Sequence, residues 1–121
     1  MSKAREEIPE QLRELADCAE NLRKALLRYR KANIVLAELL ADGTPTIEAL
    51  ERARASQLRP ELTDALDEFS GSRHKARLTL LALAVEEGAS MAEAGRSFSV
   101  SRQLASRLIA ERQRDSRRSR S

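Results

Sequence analysis

From Ile8 to Leu40 the seam positions fall at 8, 12, 15, 19, 22, 26, 29, 33, 36 and 40, alternating steps of four and three without a break. That period is a heptad seam sustained over more than four heptads, and it predicts one long helix of about 33 residues, roughly 50 Å in length. Gly43 marks its end, since glycine takes the left-handed conformation that helix C-termini favour. So long a stripe must be covered by a second copy, by the remaining helices, or by both. The first half is narrow, whereas the second adds Leu27, Ile34, Val35 and Leu39 and is apolar over a broader arc. The expected division within residues 1–43 is a self-association arm followed by a core-packing segment. Leu12, Leu15, Leu22, Leu26, Tyr29, Asn33 and Leu36 are the candidate dimer contacts. An amide at Asn33 either fixes register by pairing with its symmetry mate or sits at the edge of an intramolecular core.

Residues 44–71 read as two short connecting helices. Thr44 is a cap with Pro45 at the first helical position, and Ile47, Leu50, Ala53 and Leu58 point inward. Pro60 breaks that helix. Leu62, Ala65, Leu66 and Phe69 then recur at helical spacing until "SGS" at 70–72.

Residues 72–113 read as three helices. Ser72 caps "RHKARLTLLALAVEE", whose inner face uses Leu78, Leu81, Leu83 and Val85, and Gly88 stops it. "SMAE" at 90–93 has the form of a capping box and opens a two-turn helix to Phe98. After Ser99 and Val100, Ser101 offers another N-cap for a helix running to about Arg112. Residues 114–121 continue an arginine-rich tail, with Arg114, Arg117, Arg118 and Arg120, that lacks apolar residues and is expected to be disordered without a partner.

Composition agrees with an all-α fold: aromatics are 2% of the chain, and Ala, Leu, Glu and Arg fill it. Cys18 and His74 are single, so one chain builds neither a disulfide nor a Cys/His metal cluster. The longest apolar run, "LTLLALAV", is far short of the roughly 20 residues that cross a bilayer. Pro9 and Glu10 follow Ile8 at once and interrupt any signal-peptide core, so the expectation is a soluble cytoplasmic protein. Charge is divided unevenly. Residues 1–70 hold 11 Lys and Arg against 14 Asp and Glu, net −3, whereas residues 71–121 hold 11 against 5, net +6. The basic end is the one to meet a polyanion.

"SMAEAGRSFSVSRQLASRLI", residues 90–109, resembles the helix-turn-helix of bacterial and phage regulators, especially the trihelical type of resolvase-like proteins and sigma-factor region 4. Gly95 matches the small residue that lets the two helices cross closely. Met91, Ala94 and Phe98 match the apolar anchors of the supporting helix, Val100 the turn, and Leu108 and Ile109 the recognition helix. Two positions depart from the pattern. Ser99 replaces the usual turn glycine, at a cost of roughly 1 kcal/mol for a positive φ. Ala105 stands where valine or isoleucine is usual, and Leu104 either turns inward beside Leu108 or meets a thymine methyl.

The resemblance implies double-stranded DNA as the partner, with Arg102, Gln103, Ser106 and Arg107 near base edges in the major groove. It places Ser101, Arg96, Arg77, Arg112 and Arg114 at phosphates, with Arg73 and Lys75 also in reach. One recognition helix buries little surface, so readers of this kind work in pairs on half-sites. The expectation is a homodimeric, sequence-specific DNA-binding protein of the nucleoid, a transcriptional regulator. The alternatives are a nucleoid-associated or plasmid or phage maintenance protein, and an adaptor whose N-terminal helix binds another protein. No P-loop, dinucleotide fingerprint, HExxH or nucleophile elbow is present, so neither an enzyme nor a cofactor is expected.

Overall fold

Two of the three prolines stand inside helices that run straight through them. In the computed structural model, which describes residues 2–119, α1 spans Lys3–Ala41 and contains Pro9, and α3 spans Ala55–Glu86 and contains Pro60. With α2 (Thr46–Arg52), α4 (Met91–Ser97) and α5 (Arg102–Ser119), the described residues form five α-helices and no strand. The all-α expectation and the long N-terminal helix are as read from the sequence.

Four boundaries differ from expectation. Helix α1 begins five residues before Ile8, because the Ser2 hydroxyl accepts from the Arg5 N–H at 3.2 Å and starts the helix there. Pro60 does not break the chain into two short helices. It lies in the second turn of α3, as Pro9 does in α1, so each proline removes one bond to the carbonyl four residues earlier, at Ser56 or Arg5. All four residues are exposed, so solvent can replace the lost bonds. Nor does "SGS" stop α3. The positions 58, 62, 65, 69, 72, 76, 79 and 83 keep the four-three step through it, each half-buried or buried. Ser72 and Thr79 occupy two of them and disguise the period in a hydrophobicity reading. The fourth boundary is the tail, where α5 stays helical to Ser119. Arginine is a good helix former, and Arg117 and Arg118 in the last turn complement the helix dipole. The rest of the expected tail, Arg120 included, lies outside the described residues.

The loops between helices use two of the predicted glycines. Gly43 (φ 85°) and Gly88 (φ 101°) are both left-handed, and after each the next N–H bonds back to a helix carbonyl, Thr44 to Leu39 and Ala89 to Ala84, both at 3.0 Å. Thr44 does not cap α2. Pro45 precedes its first residue, and no side chain caps it.

The chain divides into two units, Met1–Glu14 with Ser72–Ser121, and Leu15–Gly71. The first holds one hydrophobic cluster, with Leu78, Leu81, Ala94, Ala105, Leu108 and Ile109 buried and Val85, Met91, Phe98, Val100 and Leu104 packed against it. Ala4, Ile8 and Gln11 of α1 are buried here as well, so the start of α1 packs within this unit. In the second unit the buried residues are Ala25, Ala49 and Ala53. Arg28 of α1 and Glu61 of α3 pair there at 3.1 Å.

Candidate nucleic-acid interface

Helix α4, the turn after it and the start of α5 are built from local bonds that the sequence anticipates. The Ser90 hydroxyl accepts from the Glu93 N–H at 3.1 Å, which caps α4. At the other end the Val100 N–H donates to the Gly95 carbonyl at 2.8 Å, closing the turn back onto α4. Ser99 carries the positive φ, 55°, that its position implied. The Ser101 hydroxyl then accepts from the Leu104 N–H at 3.1 Å and caps α5. A β-carbon on Gly95 would stand 2.8 Å from the Val100 carbonyl oxygen and 3.3 Å from Ser101 backbone atoms. Glycine is therefore needed for the approach of the turn backbone to α4.

The rotation of α5 separates its residues cleanly. Ala105 is fully buried, Leu108 and Ile109 are buried, and Leu104 is half-buried against the same cluster. Arg102, Gln103, Ser106 and Arg107 are all exposed. Their spacing of i, i+1, i+4 and i+5 puts them on one side of the first two turns. The small side chain of Ala105 allows this: with no bulk at the point of contact, α5 settles against the core through Leu108 and Ile109, and Leu104 lies at the edge.

Among the residues expected at phosphates, Ser101, Arg96 and Arg114 are exposed, as are Arg73 and Lys75. Arg77 is half-buried, and its Nε is sequestered without a hydrogen-bond partner. Arg112 is placed differently from its expectation. Its guanidinium donates to Thr79 Oγ1 at 3.0 Å and to Glu7 at 3.3 Å, with only 18% of the side chain exposed. It ties α5 to α3 and to the start of α1 instead of facing solvent. Thr79 is fully buried and is satisfied both ways, accepting from Arg112 and donating to the Lys75 carbonyl at 3.2 Å. His74 and Glu111 make a second link between α3 and α5, at 2.9 Å. Sequence reading missed the Glu7–Arg112–Thr79 bridge because Glu7 lies more than a hundred residues from Arg112 and off the heptad seam. The one available signal was Thr79 itself, a hydroxyl inside "LTLLALAV" that needs a partner when buried.

The seam residues are distributed between both kinds of surface. Leu15, Leu22 and Leu36 are half-buried, whereas Leu12, Leu26 and Tyr29 are exposed by 42%, 46% and 41%. Asn33 is exposed, and its amide donates to the Tyr29 carbonyl at 2.8 Å. Among the described residues no group of three or more His, Cys, Asp or Glu is placed to hold a metal ion, and no helix is long and apolar enough to cross a membrane. Comparison with protein-family models, with curated proteins and with solved structures gave no match for this chain.

Proposed function

We propose that the protein is a homodimeric, sequence-specific double-stranded DNA-binding protein that acts as a transcriptional regulator, with α4 and α5 working as a helix-turn-helix. The observation that carries this reading is the division of α5. Ala105, Leu108 and Ile109 anchor one side in the core, and Arg102, Gln103, Ser106 and Arg107 stand free on the other, at the end where the helix begins.

In this reading the first two turns of α5 enter the major groove. Arg102 or Arg107 donates two parallel bonds to guanine O6 and N7, and the Gln103 amide pairs with adenine N6 and N7. The Ser101 hydroxyl keeps its proton while its oxygen accepts the cap bond, so it donates to a phosphate beside the unpaired N–H groups of the helix start. Arg96 and Arg114 hold neighbouring phosphates and set register without reading sequence. Arg112 has no place at the duplex. Its work is to hold α5 at the angle that the core requires.

Selection of bound sequences from a random duplex library, repeated with Arg102→Ala and Gln103→Ala, tests the assignment. Each variant is expected to relax the preference at one or two base pairs. Binding that survives both changes with the same preference overturns it.

A further inference from the structure

The unit formed by Leu15–Gly71 lacks what a stable unit of its size needs. Its buried residues are Ala25, Ala49 and Ala53, three small side chains for 57 residues. Burial of large apolar groups is what offsets the conformational entropy of an ordered chain, and a unit this short is marginal even with a full core. Half of its large apolar side chains are only half-buried, and the other half lie at the surface. Among the described residues nine large hydrophobic side chains are exposed, and eight belong to this unit, including Leu27 at 52%, Ile34 at 42%, Leu40 at 43% and Ile47 at 70%.

We infer that this surface, centred on Leu26, Leu27, Ile34 and Leu40 of α1 and Ile47 of α2, is covered by the same surface of a second copy of the chain. The inference rests on the reading of the protein as a pair on DNA, and it names where the pair is made: on the later half of α1, not along the seam from its start. The amount of surface fits. At roughly 60 Å² for each half-exposed side chain, the eight residues present on the order of 500 Å² of apolar area. A standard interface removes about 800 Å² from each partner, a little over half of it apolar.

Charge narrows the choice of occupant. The unit carries 8 Lys and Arg against 10 Asp and Glu, net −2, so neither a polyanion nor an anionic membrane is drawn to it. Both signs border the apolar residues of α1. Glu20 and Arg23 pair there at 2.6 Å, Arg30 lies about two turns further on, and the Arg23 hydrogen bond holds the Glu20 carboxyl below its usual range. A second copy carries the same small net charge of −2, and the mixed signs at the border leave the apolar residues, not charge, to hold the pair. Periodicity favours self-association too, because within this unit the outward positions 26, 33 and 40, with 27 and 34 beside them, repeat every seven residues and offer an identical helix a matching stripe.

Sedimentation equilibrium of the full chain without DNA, over a range of micromolar concentrations, tests the inference. The wild type is expected to be a dimer whose thermal midpoint rises with concentration. The double variant Leu27→Glu/Ile34→Glu is expected to be a monomer with a concentration-independent midpoint. Leu12→Glu, which changes the one exposed leucine of the other unit, is expected to remain a dimer. A monomeric wild type overturns the inference, as does a Leu12→Glu monomer beside a Leu27→Glu/Ile34→Glu dimer. The two readings fail separately. A dimer that ignores duplex DNA upholds this surface and sinks the DNA reading, and a monomer that binds duplex DNA does the reverse.

Discussion

The carbonyl oxygen of Val100 lies 2.8 Å from the place that a β-carbon on Gly95 would occupy, while the Val100 N–H donates to the Gly95 carbonyl, also at 2.8 Å. The obstructing atom belongs to backbone held by that bond and by the α5 cap, so it has no room to yield. Gly95→Ala is therefore expected to destabilise the protein by about 1–3 kcal/mol, in the range of overpacked interiors. Gly71→Ala serves as the control with the opposite sign. Gly71 is helical and exposed, with nothing within 4 Å of an added β-carbon. Replacing it stabilises a helix interior by about 0.5–1 kcal/mol. Urea unfolding of both variants checks the pair, and equal effects would show that Gly95 is not sterically special.

Ser99 has a φ of 55°, a conformation that costs a side chain roughly 1 kcal/mol or more and glycine nothing. Ser99→Gly is thus expected to raise stability by up to about 1 kcal/mol, reduced by the entropy of the more flexible unfolded chain. Its exposed side chain makes no contact that the change would sacrifice in the core. Differential scanning calorimetry reads the shift, and a fall in melting temperature would contradict the strain account.

The contrast between Gly95 and Gly71 also shows what kind of information the sequence carried. Caps, turns and helix stops depend on a few neighbouring residues, and Ser90, Ser101, Gly43 and Gly88 all act as their local pattern implied. Long-range choices were less visible. "SGS" resembles a helix end locally, but the four-three period on either side of it is continuous, and packing along that period outweighs the cost of one helical glycine. Burial on α1 is split for a similar reason. In the broad apolar arc of its later half Val35 and Leu39 are half-buried while Leu27 and Ile34 are exposed, because a helix reports only that a face is apolar, not which surface covers it. On α5, the choice between Leu104 and Ala105 depended on rotation by part of a turn, which three-dimensional packing decides.

Arg112 joins three helices, through Thr79 of α3 and Glu7 of α1. Arg112→Met keeps most of the side-chain volume but leaves the Thr79 oxygen without its donor, so a loss of about 1–3 kcal/mol is expected. Glu7→Gln costs less, about 1 kcal/mol or under, because Glu7 is a third exposed and also borders Lys3 at 3.7 Å. A double-mutant cycle followed by urea unfolding isolates their coupling. If Arg112→Met weakened DNA binding without affecting stability, Arg112 would be a phosphate contact after all.

Exposed arginines on α5 separate by their distance from its first turn. Arg102 and Arg107 lie among the proposed base-reading residues, whereas Arg114 stands about two turns beyond Arg107. A bidentate contact to guanine distinguishes bases, so Arg102→Ala or Arg107→Ala is expected to cost about 1–3 kcal/mol on the selected site and much less on random duplex. A phosphate contact has no such preference. Arg114→Ala is expected to weaken selected and random duplexes alike and to lower the slope of log affinity against log salt by about one. Fluorescence anisotropy over a salt series measures both quantities for each variant. Equal losses on the two duplexes for all three arginines would mean that α5 holds the backbone without reading bases, and would favour a nucleoid-associated role over a specific regulator.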